Sequence, residues 1–231
     1  MTQLLGLLPI DKTPGWTSHD VIAYTRGILS TYEFSRIGHC GTLDPMASGL
    51  LLVLIGREAT KRQTEFLGLD KVYQAQITLG ILTDSWDMQG FILKEEPCPK
   101  ITLAQVKEAL KTITGKISHP IPFYSAKKVK GQAMYEHARN GVNIKKESVV
   151  EIYKYSKISL KDNIISFEVS CSSGTYIRSL AYMLGEKLGT FGTLSALRRT
   201  QIGPYKIKDA LPLDTLRKSA PEDIVKWVKS L

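Results

Sequence analysis

From Tyr73 the chain alternates, with Tyr73, Ala75, Ile77 and Leu79 on one face and Gln74, Gln76 and Thr78 on the other, the period of a half-buried strand. Leu50–Ile55 is apolar without interruption and reads as a short buried strand. Val150–Leu160 and Ile164–Cys171 flank Lys161-Asp162-Asn163, and Ile165, Phe167, Val169 and Cys171 alternate with polar residues, which predicts a β-hairpin. Helical spacing occurs elsewhere. Thr17 and Asp20 form a capping-box pattern before Val21, Ile22, Ile28 and Leu29. Thr102 with Gln105 starts a second helix, in which Leu103, Val106, Leu110 and Ile113 recur over about three turns, and Gly115 is placed as its C-cap glycine. Gly174 and Thr175 open a third, carrying Leu180, Met183, Leu184 and Leu188 and ended by Gly189. Gly38–Gly49, interrupted by Gly41 and Pro45, reads as a loop. Strands and helices mix without strict βαβ alternation, which predicts an α+β fold.

Composition narrows the class. With 231 residues, 43% apolar and 23% charged, the chain has the makings of a globular core, and disorder or collagen-like repeats are excluded. A net charge of +9 favours a polyanionic partner, nucleic acid or acidic lipid. Cys40, Cys98 and Cys171 are odd in number and widely spaced, which fits a reducing cytosol better than a disulfide framework or a zinc site. The run Leu4–Ile10 has neither a basic segment before it nor a small-residue cleavage site after it, and Leu50–Ile55 is far too short to cross a bilayer. A soluble, unexported protein is expected.

The densest candidate for chemistry is Arg36-Ile37-Gly38-His39-Cys40-Gly41-Thr42-Leu43-Asp44-Pro45-Met46-Ala47-Ser48-Gly49. Its glycines let the backbone approach a ligand or turn tightly, and Pro45 disfavours a helical Asp44. A carboxylate there suits a positioned nucleophile, although on spacing alone an Asp-Pro pair is ordinarily a turn or a cap. The four histidines show no ligand spacing, so no metal is expected.

Gly38-His39-Cys40-Gly41-Thr42-Leu43-Asp44-Pro45 with Ala47-Ser48-Gly49 resembles the signature of TruB-type tRNA pseudouridine synthases. Asp11-Lys12-Thr13-Pro14-Gly15-Trp16-Thr17-Ser18, Asp70-Lys71-Val72-Tyr73, Pro122-Phe123-Tyr124-Ser125-Ala126-Lys127-Lys128, Gly174-Thr175-Tyr176-Ile177-Arg178 and Leu197-Arg198-Arg199 resemble further family motifs in the family's order. The resemblance runs from about residue 8 to about 205. It implies the pseudouridine synthase fold, an α+β fold with a central mixed or antiparallel sheet flanked by helices.

The resemblance also implies roles. Asp44 becomes the catalytic carboxylate, stabilising or trapping the sugar cation as a retaining glycosidase nucleophile does, with attack at C6 of the base as the alternative. Tyr73 becomes the aromatic that stacks on the target base, although its strand position equally fits a core aromatic. Arg178 becomes the arginine that pairs with the catalytic carboxylate and keeps it ionised. Tyr176 and Leu197 are expected beside the base, and His39 where the flipped nucleotide leaves its loop. Lys12, Lys127, Lys128, Arg198 and Arg199 are expected to contact the RNA, as are Lys130, Lys145 and Lys146.

The implied activity is isomerisation of uridine 55 in the tRNA T loop, after base flipping and without a cofactor. The implied partner is the T-arm stem-loop, with a cytoplasmic monomer, no membrane and no obligatory protein partner. A tRNA-folding chaperone is the competing class.

The sequence departs from the family pattern at Cys40, at Thr13-Pro14, and at His119-Pro120-Ile121-Pro122, where Gln-x-Pro-Pro is more usual. Only 26 residues follow Tyr205, so residues 1–231 are expected to form a single catalytic domain without the RNA-binding PUA domain that many relatives carry.

Overall fold

The computed structural model describes residues 3–125, 127–129, 131–139 and 144–231, side chains excepted at 128, 129, 133, 138 and 139. In chain order its elements begin with β1 (Gly6–Lys12), α1 (Ser18–Ile28), β2 (Ile37–Cys40), β3 (Ser48–Ile55), α2 (Arg57–Lys61), α3 (Gln63–Gly68) and β4 (Lys71–Leu79). There follow β5 (Ile81–Thr83), β6 (Ile92–Glu95), α4 (Leu103–Thr112), β7 (Gly115–Pro120), β8 (Lys128–Val129), β9 (Gln132–Ala133), α5 (Met134–Arg139), β10 (Glu147–Lys161) and β11 (Ile164–Cys171). The last are α6 (Ile177–Lys187), β12 (Gly192–Ile202), β13 (Tyr205–Lys206), a 3-10 turn (Ile207–Asp209), β14 (Leu211–Pro212), α7 (Leu213–Leu216) and α8 (Pro221–Val225). None of the described helices is long and apolar enough to cross a membrane.

The chain divides into two units, residues 1–73 with 197–231, and residues 74–196. The first is built on β3. Its strand order is β14-β1-β3-β12, with β2 also on β3 and β13 on β12. The sheet is mixed, because β14 runs parallel to β1 and β12 parallel to β3 while β1 and β2 run antiparallel to β3. Leu51, Val53 and Ile55 pack into one apolar cluster with Val21 and Ile22 of α1 and its C-cap Leu29, and Leu213, Leu216 and Ile224 join them. Leu50, Leu52 and Leu54 point the other way, into a cluster with Ala59, Phe66 and Ile202. Burial on both faces is why this segment lacks a polar alternation.

The second unit carries the order β4-β11-β10-β7, with β10 antiparallel to both its neighbours. Tyr155 of β10 meets Phe167 of β11 edge to face, with centroids 5.1 Å apart. The predicted hairpin forms, but Lys161 pairs with Ile164, so its turn is only Asp162-Asn163, with Asp162 in the left-handed region at φ 53°. Both predicted capping boxes are present, at Thr17 with Asp20 and at Thr102 with Gln105. Gly189 closes α6 with φ 71°. Its N–H donates to the Glu186 carbonyl and that of Thr190 to the Gly185 carbonyl, the paired bonds of a Schellman motif.

Two expectations are corrected. Gly38–Cys40 is not loop but strand, paired Gly38 to Leu54, His39 to Val53 and Cys40 to Leu52, and β3 begins at Ser48, so the irregular segment shrinks to Gly41–Ala47. The long apolar β3 offers an edge that captures this short segment despite its glycine. Gly115 is not the C-cap of α4, which is Ile113. It is the first residue of β7, at φ 83°.

Candidate active site

The segment carrying Asp44 is a tight turn, closed by the Ala47 N–H donating to the Asp44 carbonyl at 3.0 Å, with Pro45 at the second position where its fixed φ belongs. The turn is also fastened from outside. Ser18 Oγ accepts from the Leu43 N–H at 2.9 Å and donates to the Leu43 carbonyl at 3.3 Å. The Gly15 N–H donates to the Pro45 carbonyl at 2.9 Å. Lys12 Nζ donates to the carbonyls of Trp16 at 2.7 Å, Thr13 at 3.1 Å and Pro45 at 3.4 Å. Arg199 donates from Nε to the Leu50 carbonyl and from Nη2 to the Gly41 carbonyl, both at 2.8 Å. Gly49 permits the close approach of the Arg199 backbone, since a Cβ there would lie 2.3 Å from its carbonyl oxygen at a φ of 107°. The carboxylate of Asp44 therefore sits on a backbone held at Gly41, Leu43 and Pro45.

Lys12 and Arg199, expected among the RNA contacts, are buried instead, at 0% and 2% exposure. Their charges serve the loop. Burial pulls Lys12 down to about 8, partly offset by the Asp44 carboxylate and reinforced by the Arg199 cation. In the unfolded chain this amine titrates near 10.5, so the unfolded protein holds more protons between about pH 8 and 10.5, and Lys12 adds stability as pH rises through that window. Urea unfolding at pH 7.5 and 9.5 is expected to show wild type gaining stability relative to Lys12→Met at the higher pH. An equal pH response in the two proteins would refute it.

The other expected residues occupy varied surroundings. Arg198 Nη2 donates to Asp11 at 2.6 Å, so this cation is already partnered although 40% of its side chain is exposed. His39 is half-buried on β2. Among the described residues its Nδ1 has no hydrogen-bond partner, and burial followed by the Arg199 charge lowers its pKa. Tyr73 lies on the buried face of β4 and Leu197 is also buried. Lys127, Lys145 and Lys146 are exposed, whereas the side chain of Lys128 and all of Lys130 lie outside the described residues.

In the second unit, Tyr176 is the N-cap of α6 and Arg178 lies in its first turn. Arg178 is buried. It donates to the carbonyls of Ser85 at 3.1 Å and Tyr124 at 3.0 Å and forms an ion pair with Asp87 at 3.6 Å. Asp87 in turn accepts from Ser85 Oγ at 2.8 Å and from the Gln89 N–H at 3.0 Å. Trp86 adopts φ 61°, and its ring stacks on Tyr182, one helical turn beyond Arg178, at 4.6 Å. Residues 83–91 thus form a built receptor for the guanidinium, with Asp84 accepting from the Phe91 N–H and the Tyr124 hydroxyl. Sequence reading missed Asp87. The available signal was two aspartates three apart with a glycine three further on, a pattern of side chains that cap their own turn.

Comparison with known proteins identifies the family of the chain. Residues 29–177 match the family model described as TruB family pseudouridylate synthase (N terminal domain), and residues 178–224 match the tRNA pseudouridylate synthase B C-terminal domain. A protein named tRNA pseudouridine synthase B from Caldicellulosiruptor saccharolyticus is 42% identical over 216 residues, covering 93% of this chain and 73% of that protein. A protein of the same name from Endomicrobium trichonymphae is 41% identical over 207 residues, covering 89% and 88%. Among solved structures, a Cbf5-Nop10-Gar1 complex matches with a TM-score of 0.74 at 26% identity over 98% of this chain. An H/ACA RNP bound to a substrate RNA containing 2'-deoxyuridine matches with 0.67 at 26% identity over 91%. This chain spans only 60% and 51% of those two solved chains. The chain belongs to the TruB family of pseudouridine synthases, and it is an isomerase.

Proposed function

We propose that the protein converts uridine 55 in the tRNA T loop to pseudouridine, with Asp44 as the catalytic residue and Tyr73 and Arg178 as its partners in the chemistry. The observation that carries the reading is the Asp44 turn, whose backbone is fastened at Gly41, Leu43 and Pro45 so that one carboxylate is held in a fixed place. Relatives named tRNA pseudouridine synthase B support tRNA as the substrate, and the +9 charge suits it.

The reaction breaks the N1 to C1′ bond, turns the uracil, and joins C5 to C1′. The proton on C5 leaves to solvent and N1 gains one, so no oxidant or energy source enters the balance. Asp44 stabilises or captures the electron-poor C1′ while the base turns. The nucleotide must leave its stack to be reached, and an aromatic wall such as Tyr73 holds the extruded base. Exposed Lys127, Lys145 and Lys146 supply phosphate contacts. The chain works in the cytoplasm as a monomer, without a cofactor.

The test is tritium release to water from tRNA transcripts labelled at C5 of uridine, run beside an isolated T-arm stem-loop. Release of one tritium per molecule from both substrates is expected. A strong preference for whole tRNA would refute T-arm recognition, and no release from either would refute the activity on tRNA.

A further inference from the structure

His119, next to last in β7, is fully buried. Its Nδ1 lies 2.9 Å from the Ser148 carbonyl oxygen on β10, and its Nε2 lies 3.0 Å from the Tyr176 amide nitrogen. A carbonyl only accepts and a backbone N–H only donates. The two partners therefore define the ring as neutral, with the proton on Nδ1 and a lone pair on Nε2.

The Nε2 bond falls at a sensitive place. Tyr176 is the N-cap of α6, and its own side chain makes no cap hydrogen bond. In a capping box the third helical residue reaches back to the N-cap N–H. Here that residue is Ser179, and its hydroxyl donates instead to the Pro120 carbonyl at 2.6 Å. Adjacent residues of β7 thus hold the start of α6 at two points, His119 at Tyr176 and Pro120 at Ser179. Arg178 lies between those two points.

We infer that His119 is a positioning residue for the reaction: its neutral imidazole fixes the first turn of α6, which carries Tyr176 and Arg178, and its protonation releases that turn. An imidazolium carries an N–H at both nitrogens, so Nε2–H would face the Tyr176 N–H, donor against donor. A cation at a helix N-terminus also opposes the helix dipole. Burial already lowers the His119 pKa below the usual histidine value, against the opposing influence of the Ser148 bond and the Glu147 carboxylate.

The surrounding charges are few among the described residues. On β10, Glu147 accepts from Ser118 Oγ at 2.6 Å, and Glu151 is in register with Lys116. On α6, the Arg178 guanidinium is directed to Ser85, Tyr124 and Asp87.

The inference rests on the functional reading above, and its test has one arm that does not. Single-turnover tritium release is measured from pH 5 to 8 for wild type, His119→Gln and His119→Leu. A glutamine amide offers one donor and one acceptor and does not titrate. The wild-type rate is expected to fall about tenfold per pH unit below the His119 pKa, with tRNA affinity unchanged. His119→Gln should keep most of the rate at pH 7.5 and lose this acid limb, while His119→Leu should be slow throughout.

The second arm is nitrogen NMR of the free protein, in which the His119 ring and the Tyr176 amide should titrate together from the Nδ1–H tautomer. An acid limb that persists in His119→Gln, a ring protonated on Nε2 alone, or a Tyr176 amide indifferent to the titration would overturn the inference. Wild type inert on tRNA at every pH would instead overturn the functional reading, and the NMR arm would still decide the role of His119.

Discussion

Asp44→Asn is expected to lower the single-turnover rate of tritium release by at least about a thousandfold, a rise in barrier of about 4 kcal/mol, while tRNA binding stays intact. The substitution is nearly isosteric. The turn is closed by the backbone carbonyl of residue 44 and by Pro45, and it is fastened through Gly41, Leu43 and Pro45, so an amide side chain leaves the scaffold in place. What is lost is a negative charge able to meet an electron-poor C1′. Filter binding alongside the rate separates chemistry from recognition. A variant within tenfold of wild type would remove Asp44 from the reaction.

Arg178→Met should cost about 3–5 kcal/mol of folding free energy, the usual penalty for removing one partner of a buried ion pair. The Asp87 carboxylate would be left 7% exposed without its cation, and the carbonyls of Ser85 and Tyr124 would lose a donor. Pairing the change with Asp87→Asn should recover part of the loss, because the neutral amide still accepts from Ser85 and Gln89 without stranding a charge. Urea unfolding of the four proteins in the cycle measures this directly. A double variant no more stable than Arg178→Met would show that the isolated carboxylate is not the cause.

Features governed by neighbours in sequence were readable beforehand, and those governed by burial were not. The capping boxes at Thr17 and Thr102, the alternation of β4 and the β10–β11 hairpin each depend on residues a few positions apart. The extent of β2 depends on β3 some fifteen residues later, and nothing within Gly38–Cys40 announces it. In the candidate site, Asp44 stood out through its motif, and the structure adds the fastening of its turn. Lys12 and Arg199 illustrate the limit: a cation in a sequence says nothing about whether water, phosphate or a carbonyl will solvate it. Asp87 and His119 were invisible as partners of Arg178 and Tyr176 because those pairings join residues far apart in the chain.

The long reach of Arg199 also bears on how the protein comes into being. Gly41 and the arginine that holds its carbonyl are separated by 158 residues, roughly eight to thirty seconds of ribosomal synthesis at about 5–20 residues per second. Throughout that interval the nascent chain displays β3 without Ile202, Leu213, Leu216 and Ile224, which complete the apolar clusters on its two faces, and with its β12 edge unpaired. The enzyme's loop is thus finished only once Arg199 has been made. A chain released before Arg199 emerges is an aggregation hazard for quality control to clear, and not a slow enzyme.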